Sequence, residues 1–203
     1  MNRRLTLTTG IVLSALSLLY LGGSAYRARA PFKVNTPGDL HGFTQGQVDT
    51  PESMVVFTDY RCPHCRAFEN EVMPKLQKLV AGGTLGLTVV PIGMLGEDSE
   101  LTATGVLCAA QQGKAAFAAL HKGLFELPGV NREALVELAD KRGLRPQQLR
   151  ACLEKGATAE EVHHNTLRAR EIGIRGTPTV VVAGRAYANP DWNTLQGAIR
   201  ERN

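Results

Sequence analysis

The sequence has little of several features that mark specialised classes of protein. Its 203 residues hold only four cysteines, and they contain no internal repeat and no low-complexity tract. A chain of this length buries a core large enough to fold without metal ions or dense disulfides. The remaining composition is that of an ordinary globular protein, so we expect one domain with room for an inserted subdomain.

Net charge is also lacking once the N-terminus is set aside. The formal charge is +4, but Arg3, Arg4, Arg27 and Arg29 all lie in residues 1–30, which contain no acidic residue. Removing these four of the 23 Lys and Arg leaves 19, equal to the 19 Asp and Glu. A neutral remainder offers no basic surface for a phosphate backbone, which argues against a nucleic-acid partner.

The N-terminal segment is typical of an export signal. Arg3 and Arg4 precede an apolar run from Gly10 to Leu21, and the uncharged stretch Leu5 to Tyr26 is about long enough to span a bilayer. We predict that residues 1–30 are a signal peptide or a signal anchor, and both alternatives stay open. The predicted location is periplasmic or extracytoplasmic, with membrane contact only through this segment. There the four cysteines are expected to form two disulfides.

The chain then alternates between strand and helix patterns. Residues 31–52 show no sustained hydrophobic periodicity, which predicts a linker that can include one short edge strand. Residues 53–58 and 85–92 are short apolar, β-branched runs, typical of strands covered on both faces. Helical spacing begins between them at Cys62, and Pro74 predicts a kink about one turn upstream of itself.

The C-terminal half is dominated by helical patterns. Glycine and proline separate five helical segments over about residues 97–173, and residues 179–188 form a predicted hairpin before a closing helix. The order β, α, β around the first cysteines, followed by these helices and the hairpin, predicts an α/β domain over residues 53–203. Its helical insert covers about 97–173.

The motif that carries chemistry is Cys62-Pro63-His64-Cys65, where the first strand leads into the helix. The first sulfur of such a pair faces the free N–H groups and the positive dipole end of the helix, which stabilise a thiolate. Cys62 is therefore the predicted nucleophile. Cys65, one turn further on, is placed to close the disulfide or to resolve a mixed disulfide. His64 is expected to support the Cys62 thiolate.

Two other uses of a Cys-x-x-Cys pair are less favoured. A structural zinc site needs two further ligands, and the nearest conspicuous ones, His163 and His164, lie about a hundred residues on. A purely structural bond between Cys62 and Cys65 would close too small a loop to add much stability. We therefore predict no metal site and no bound cofactor.

A second motif, Arg175-Gly176-Thr177-Pro178-Thr179, precedes the third apolar strand, where an X-Pro bond can be cis. With it, the chain resembles the DsbA-like thiol-disulfide oxidoreductases of the thioredoxin superfamily over roughly residues 50 to 200. The other matching segments are Phe57 to Cys65, Leu107 to Lys114, Leu149 to Leu153, and Ile172 to Ile174.

The resemblance implies an α/β, thioredoxin-like fold with an inserted helical subdomain. It also implies that Pro178 is cis and faces the cysteine pair, and that a client backbone pairs beside Thr177 and Gly176. Pro63 and His64 form the dipeptide typical of DsbA, whose disulfide is strongly oxidising. The sequences around Cys108 and Cys152 match positions where some DsbA-like proteins carry an extra structural disulfide.

The function implied is enzymatic: a thiol-disulfide oxidoreductase that introduces disulfides into exported proteins by dithiol-disulfide exchange. Its partners would be reduced exported clients and a DsbB-like, quinone-linked membrane oxidant. A periplasmic disulfide reductase or isomerase is the nearest alternative, although related isomerases carry a dimerisation domain where only about twenty residues precede this catalytic domain. A non-enzymatic client-binding module is the other alternative, which the intact cysteine pair disfavours.

The sequence departs from the family pattern before the first cysteine, and the role of Asp59 there stays open. Val56 stands where the enterobacterial type of DsbA has an acidic residue, six positions before the first cysteine, and Asp59 lies three before it. Asp59 is expected to be either a turn or capping residue at the strand end or a proton acceptor. His121 lies in a charged helical stretch, as do His163 and His164, and is expected to be solvated.

Overall fold

The computed structural model describes residues 30–47 and 53–201. The predicted signal peptide or signal anchor, residues 1–30, lies outside the described residues except for its last position. Within the described ranges no helix is long and apolar enough to cross a membrane.

One mixed sheet forms the centre of the described chain. Its strands are β1 (Phe32–Lys33), β2 (Phe43–Gln45), β3 (Ser53–Thr58), β4 (Gly86–Pro91), β5 (Thr179–Val182) and β6 (Arg185–Ala188). The order across the sheet is β1-β6-β5-β3-β4-β2. β3 pairs parallel with β4 and antiparallel with β5, and the remaining pairs are antiparallel.

Helices account for most of the rest. They are α1 (Pro63–Glu71), α2 (Met73–Ala81), α3 (Glu97–Ala110), α4 (Lys114–Leu124), α5 (Arg132–Lys141), α6 (Pro146–Lys155), α7 (Ala159–Glu171) and α8 (Trp192–Arg200). The five helices α3 to α7 lie between β4 and β5 and form the insert. α3 is its central helix, because it contacts α4, α5, α6 and α7.

The central strands are mostly apolar because both sheet faces are covered. Met54 and Val56 of β3 point into the larger cluster, which also contains the apolar faces of α1, α2 and the insert. Phe57, the next residue of β3, packs in a second cluster on the opposite face with Ile174. Alternate side chains of one strand therefore enter different cores, as expected for a strand sandwiched between helices.

The structure corrects the linker predicted over residues 31–52. Two short strands lie in its described part, and they form the two opposite edges of the sheet. β1 pairs with β6 and β2 pairs with β4. Strands of two and three residues are too short to show a hydrophobic periodicity. Backbone hydrogen bonds hold this part of the chain to the sheet, such as that from the N–H of Val34 to the oxygen of Gly184 at 2.8 Å.

The kink predicted near Pro74 is a complete break between α1 and α2. Val72 separates the two helices, and its N–H still donates to the oxygen of Phe68 at 2.9 Å. Pro74 lies in the first turn of α2, where a missing backbone N–H costs nothing. Further inside a helix, proline would break or kink it, because proline removes one backbone hydrogen bond and its ring clashes with a preceding carbonyl.

Candidate active site

The cysteine pair lies at the junction of β3 and α1. Cys62 is the residue that precedes the helix, in extended conformation with φ −80° and ψ 120°, and Pro63 begins the first turn. Its own N–H donates to the oxygen of Asp59 at 3.1 Å, which closes a tight turn after the strand. The helix N-terminus thus points its free N–H groups at the Cys62 sulfur, as the sequence predicted for a nucleophile.

Both cysteines of the pair are free thiols in this structure, and the environment of Cys62 favours its thiolate. The pKa of Cys62 is lowered from 9.0 to about 5, mainly by a hydrogen bond from the side chain of Cys65. Burial opposes this shift, while a side-chain bond from Thr177 and the backbone N–H groups of Cys65 and His64 add to it. The backbone N–H of His64 is thus one of the groups that stabilise the Cys62 thiolate, and the His64 side chain is exposed.

Cys65 has the opposite environment. Its side chain is 1% exposed, and burial raises the pKa of this thiol far above its usual value, helped by the hydrogen bond and the negative charge of Cys62. The N–H of Asp59 donates to its sulfur at 3.4 Å and opposes the shift in part. The two thiols therefore differ sharply: at neutral pH one is a thiolate and the other is its hydrogen-bond donor.

The predicted loop lies against the pair. The bond between Thr177 and Pro178 is cis, and the Cys62 sulfur lies 3.2 Å from the carbonyl oxygen of Thr177, to which it donates when it carries its proton. Thr177 thus contacts Cys62 with its backbone oxygen, which favours the thiol, and with its side chain, which favours the thiolate. Gly176 joins Cys62 and His64 in lining a cavity of about 510 Å³ at this point.

Asp59 is held as a turn residue. Its carboxylate accepts hydrogen bonds from the N–H of Arg61 at 2.9 Å, the hydroxyl of Ser99 at 2.8 Å and the N–H of Met94 at 2.9 Å. The side chain is fully buried. Three donors occupy both oxygens, so this carboxylate joins the cysteine turn to Met94, which follows β4, and to Ser99 in the first turn of α3. Of the two roles left open by the sequence, the structure supports the turn role.

A buried polar chain beneath the turn was missed from the sequence. The Tyr60 hydroxyl lies 2.8 Å from Nδ1 of His121, and Nε2 of His121 lies 3.0 Å from Oε2 of Glu69. His121 is 7% exposed, so the prediction that it is solvated was wrong. A signal was present: His121 lies four residues from Phe117 and from Phe125, which places all three on the buried face of α4.

The second cysteine pair lies in the insert. Cys108 on α3 and Cys152 on α6 are joined by a disulfide, with their Cα atoms 5.8 Å apart and 44 positions between them in sequence. In the described ranges no group of three or more His, Cys, Asp or Glu side chains has an arrangement that could hold a metal ion. His163 and His164 lie on α7, where His164 contacts Asp39 at 3.1 Å.

Comparison with known proteins agrees with this geometry. A family model described as Thioredoxin matches residues 39–201. A "Probable disulfide bond formation protein D" of Bacillus anthracis is 25% identical over 94% of this chain and 93% of its own length. The crystal structure of oxidised BdbD from Bacillus subtilis has a TM-score of 0.73 at 24% identity, covering 84% of this chain and 95% of that one. Chlamydia trachomatis DsbA has a TM-score of 0.69 at 23% identity, covering 78% and 89%.

A sheet of this order, with a Cys-x-x-Cys pair at a helix N-terminus and a cis-proline loop against it, defines a thiol-disulfide oxidoreductase with a thioredoxin-like fold. The chain belongs to the thioredoxin family, and its fold is similar to those of BdbD and DsbA. The predicted family, fold class and enzyme class are thereby confirmed.

The contrast between the two thiols predicts their alkylation by iodoacetamide. The pKa of Cys62 is lowered, so its thiolate persists down to about pH 5 and its labelling should fall with a midpoint there. Cys65 should stay unlabelled up to about pH 9, because its pKa is raised. Peptide mass spectrometry of reduced protein across this range measures both, and denatured protein, in which both should titrate near 8.5, is the control. A Cys62 midpoint near 9 would contradict the structure.

Proposed function

We propose that this enzyme works as an oxidase, introducing disulfides into exported proteins. The observation that carries the proposal is the pKa of Cys62, lowered to about 5. Stabilising the thiolate stabilises the reduced enzyme, and a disulfide whose reduced form is stable is a strong oxidant. The names of the relatives that describe disulfide bond formation support the same direction.

In the proposed reaction a client thiolate attacks the Cys62 sulfur of the Cys62–Cys65 disulfide. A bond forms between the client sulfur and Cys62, and Cys65 leaves with the electron pair. Cys65 takes up a proton, which its raised pKa favours. This proton neutralises the Cys65 thiolate. No isolated anion is then left buried in the core, so the departure of Cys65 is not opposed by its burial.

A second client thiolate then attacks the client sulfur of the mixed disulfide. The client disulfide forms, Cys62 leaves as a thiolate, and its hydrogen bonds from Cys65 and the helix N–H groups stabilise it there. In sum, two client thiols lose two electrons and two protons. The enzyme keeps both electrons and one proton, the other proton goes to solvent, and Cys62 remains ionised.

Other predicted site residues take supporting roles in this proposal. Gly176 and Thr177 would pair with the client backbone beside the reacting sulfur, and Pro178 would hold their loop in place. Pro63 begins the helix without an N–H that needs a partner, and the N–H of His64 contributes to the thiolate. Regeneration of the disulfide requires an electron acceptor, for which we propose a DsbB-like, quinone-linked membrane protein.

We also propose a periplasmic or extracytoplasmic location. The arginines and apolar run of residues 1–30 support export. The disulfide between Cys108 and Cys152 gives independent support, because structural disulfides persist mainly in oxidising compartments. A cell fractionation that recovers the full chain in the cytoplasm with Cys108 and Cys152 reduced would contradict this part of the proposal.

The proposal predicts that oxidised enzyme transfers its disulfide to a reduced client. Mixed anaerobically with a reduced peptide carrying two cysteines, each enzyme molecule should produce one peptide disulfide, counted by mass spectrometry after acid quenching. Cys62→Ala is the matched control and should produce none. An enzyme that leaves the peptide reduced, but in its reduced form cleaves the disulfides of insulin, would be a reductase.

A further inference from the structure

The cavity beside Cys62 is lined by basic residues and by no acidic residue. Nine residues line it, and two of them are arginines while none is acidic: Cys62, His64, Met94, Leu95, Arg170, Ile174, Arg175, Gly176 and Thr177. The chain outside residues 1–30 has equal numbers of acidic and basic residues, so this concentration of positive charge is local to the site. The reacting cysteine and the two arginines therefore line one common cavity.

Neither arginine is neutralised within the described part of the chain. Arg175 donates from Nη1 to the carbonyl oxygens of Arg170 and Ile174, which are neutral. Neither it nor Arg170 belongs to an ion pair among the described residues. Arg168, only two residues before Arg170 on α7, does pair with acidic side chains, at 3.2 Å from Asp39 and 2.8 Å from Glu171. Both cavity arginines are exposed and available to a ligand.

Three large apolar side chains also line the cavity, and one of them is exposed. Leu95 is 58% exposed, which is unusual for a large aliphatic side chain, and Met94 and Ile174 lie beside it. Glu97 and Asp98 follow on α3, but they lie in its first turn and do not line the cavity. An occupant that fits this surface has an apolar side chain for Leu95 and a negative group for the arginines.

We propose that the enzyme prefers client segments that carry an acidic residue about two positions from the reacting cysteine, together with an apolar residue. This inference rests on the proposed function and specifies its substrates. Arg175 precedes Thr177 by only two residues, so a client strand paired beside Thr177 passes close to Arg175, and a carboxylate about two positions from the reacting cysteine can reach its guanidinium. Arginine binds carboxylates through paired, charge-assisted hydrogen bonds.

The test uses peptides with one cysteine and one leucine that differ only in having Glu, Gln or Lys two positions from the cysteine. The second-order rate constant for attack on oxidised enzyme is measured per peptide thiolate, which removes differences in the thiol pKa. We expect the Glu peptide to react several-fold faster than the Gln peptide and the Lys peptide to be slowest. Added salt should reduce the difference because the contact is open to solvent.

Charge reversal at Arg175→Glu should invert the order, so that the Lys peptide reacts faster than the Glu peptide. The ratio between two peptides on one variant cancels any general loss of folding or activity, and Arg170→Glu provides a second variant. Arg132→Glu, which makes the same charge change on an exposed residue outside the cavity, should keep the wild-type order. Equal rates for all peptides on wild type would overturn this inference alone. Failure of every peptide to react would overturn the proposed function and this inference with it.

Discussion

Replacing Cys65 with alanine should convert the enzyme into a trap for its clients. In the reverse direction of the proposed reaction, Cys62 can still attack a client disulfide, forming a mixed disulfide and releasing one client thiolate, but the Cys65 thiol that would displace the client from Cys62 is gone. Covalent adducts should accumulate and catalytic turnover should cease. The pKa of Cys62 should also rise, because the hydrogen bond from Cys65 is the largest cause of its lowering.

Non-reducing electrophoresis and mass spectrometry measure the adducts, which dithiothreitol should release. Cys62→Ala is the matched control, because it retains the buried Cys65 and should form none. Adducts formed through Cys65 in that variant would show that the roles of the two cysteines are reversed. A folded Cys65→Ala variant that continues to turn over would show that exchange needs Cys65 neither as the leaving group nor as the thiol that displaces the client.

Removing the disulfide between Cys108 and Cys152 should lower the free energy of unfolding by about 4 kcal/mol. The bond closes a loop with a sequence separation of 44, and the chain-entropy estimate for such a loop gives that magnitude. The bond joins α3 to α6 within the insert, whereas the reacting cysteines lie at α1, so disulfide exchange should remain largely intact.

Urea unfolding of the Cys108→Ala/Cys152→Ala variant, compared with wild type in the same oxidised state of Cys62 and Cys65, gives this value. The two single variants are controls, since each also lacks the bond and should lose a similar free energy. A double variant as stable as wild type would mean that the two sulfurs act only as packed core atoms.

The parts of the fold that could be predicted from sequence are those whose burial leaves a pattern. β3 and β4 are mostly apolar because helices cover both sheet faces. These apolar runs identified the two strands in the sequence. β1 and β2 left no pattern, since their few residues join the sheet through backbone hydrogen bonds that any sequence can make. Their place in the fold depends on the edges supplied by strands distant in the chain.

The candidate site divides in the same way. The cysteine pair and the loop around Pro178 are short contiguous motifs, and sequence alone identified both. The surroundings of Asp59 depend on Met94 and Ser99, which are 35 and 40 positions away. The partners of His121 lie 61 and 52 positions away. Only the folded chain reveals these contacts, although the spacing of His121 with two phenylalanines indicated burial.

The central claim is that this enzyme oxidises its clients, and the reduction potential of the Cys62–Cys65 pair tests it most directly. At pH 7 a thiol with a pKa of about 5 is almost wholly ionised, whereas thioredoxin's, at about 7, is half ionised. This additional ionisation favours the reduced form by a factor of about 50, which corresponds to up to about 50 mV for this two-electron couple, and solvent in the cavity screens part of it.

Equilibration with glutathione buffers at pH 7, with the thiols counted by alkylation and mass spectrometry, gives the potential. We predict a value of about −230 mV or higher, above thioredoxin's value of about −270 mV. A value at or below about −270 mV would contradict the account, because the pair would then be held as a disulfide too stable to oxidise exported proteins.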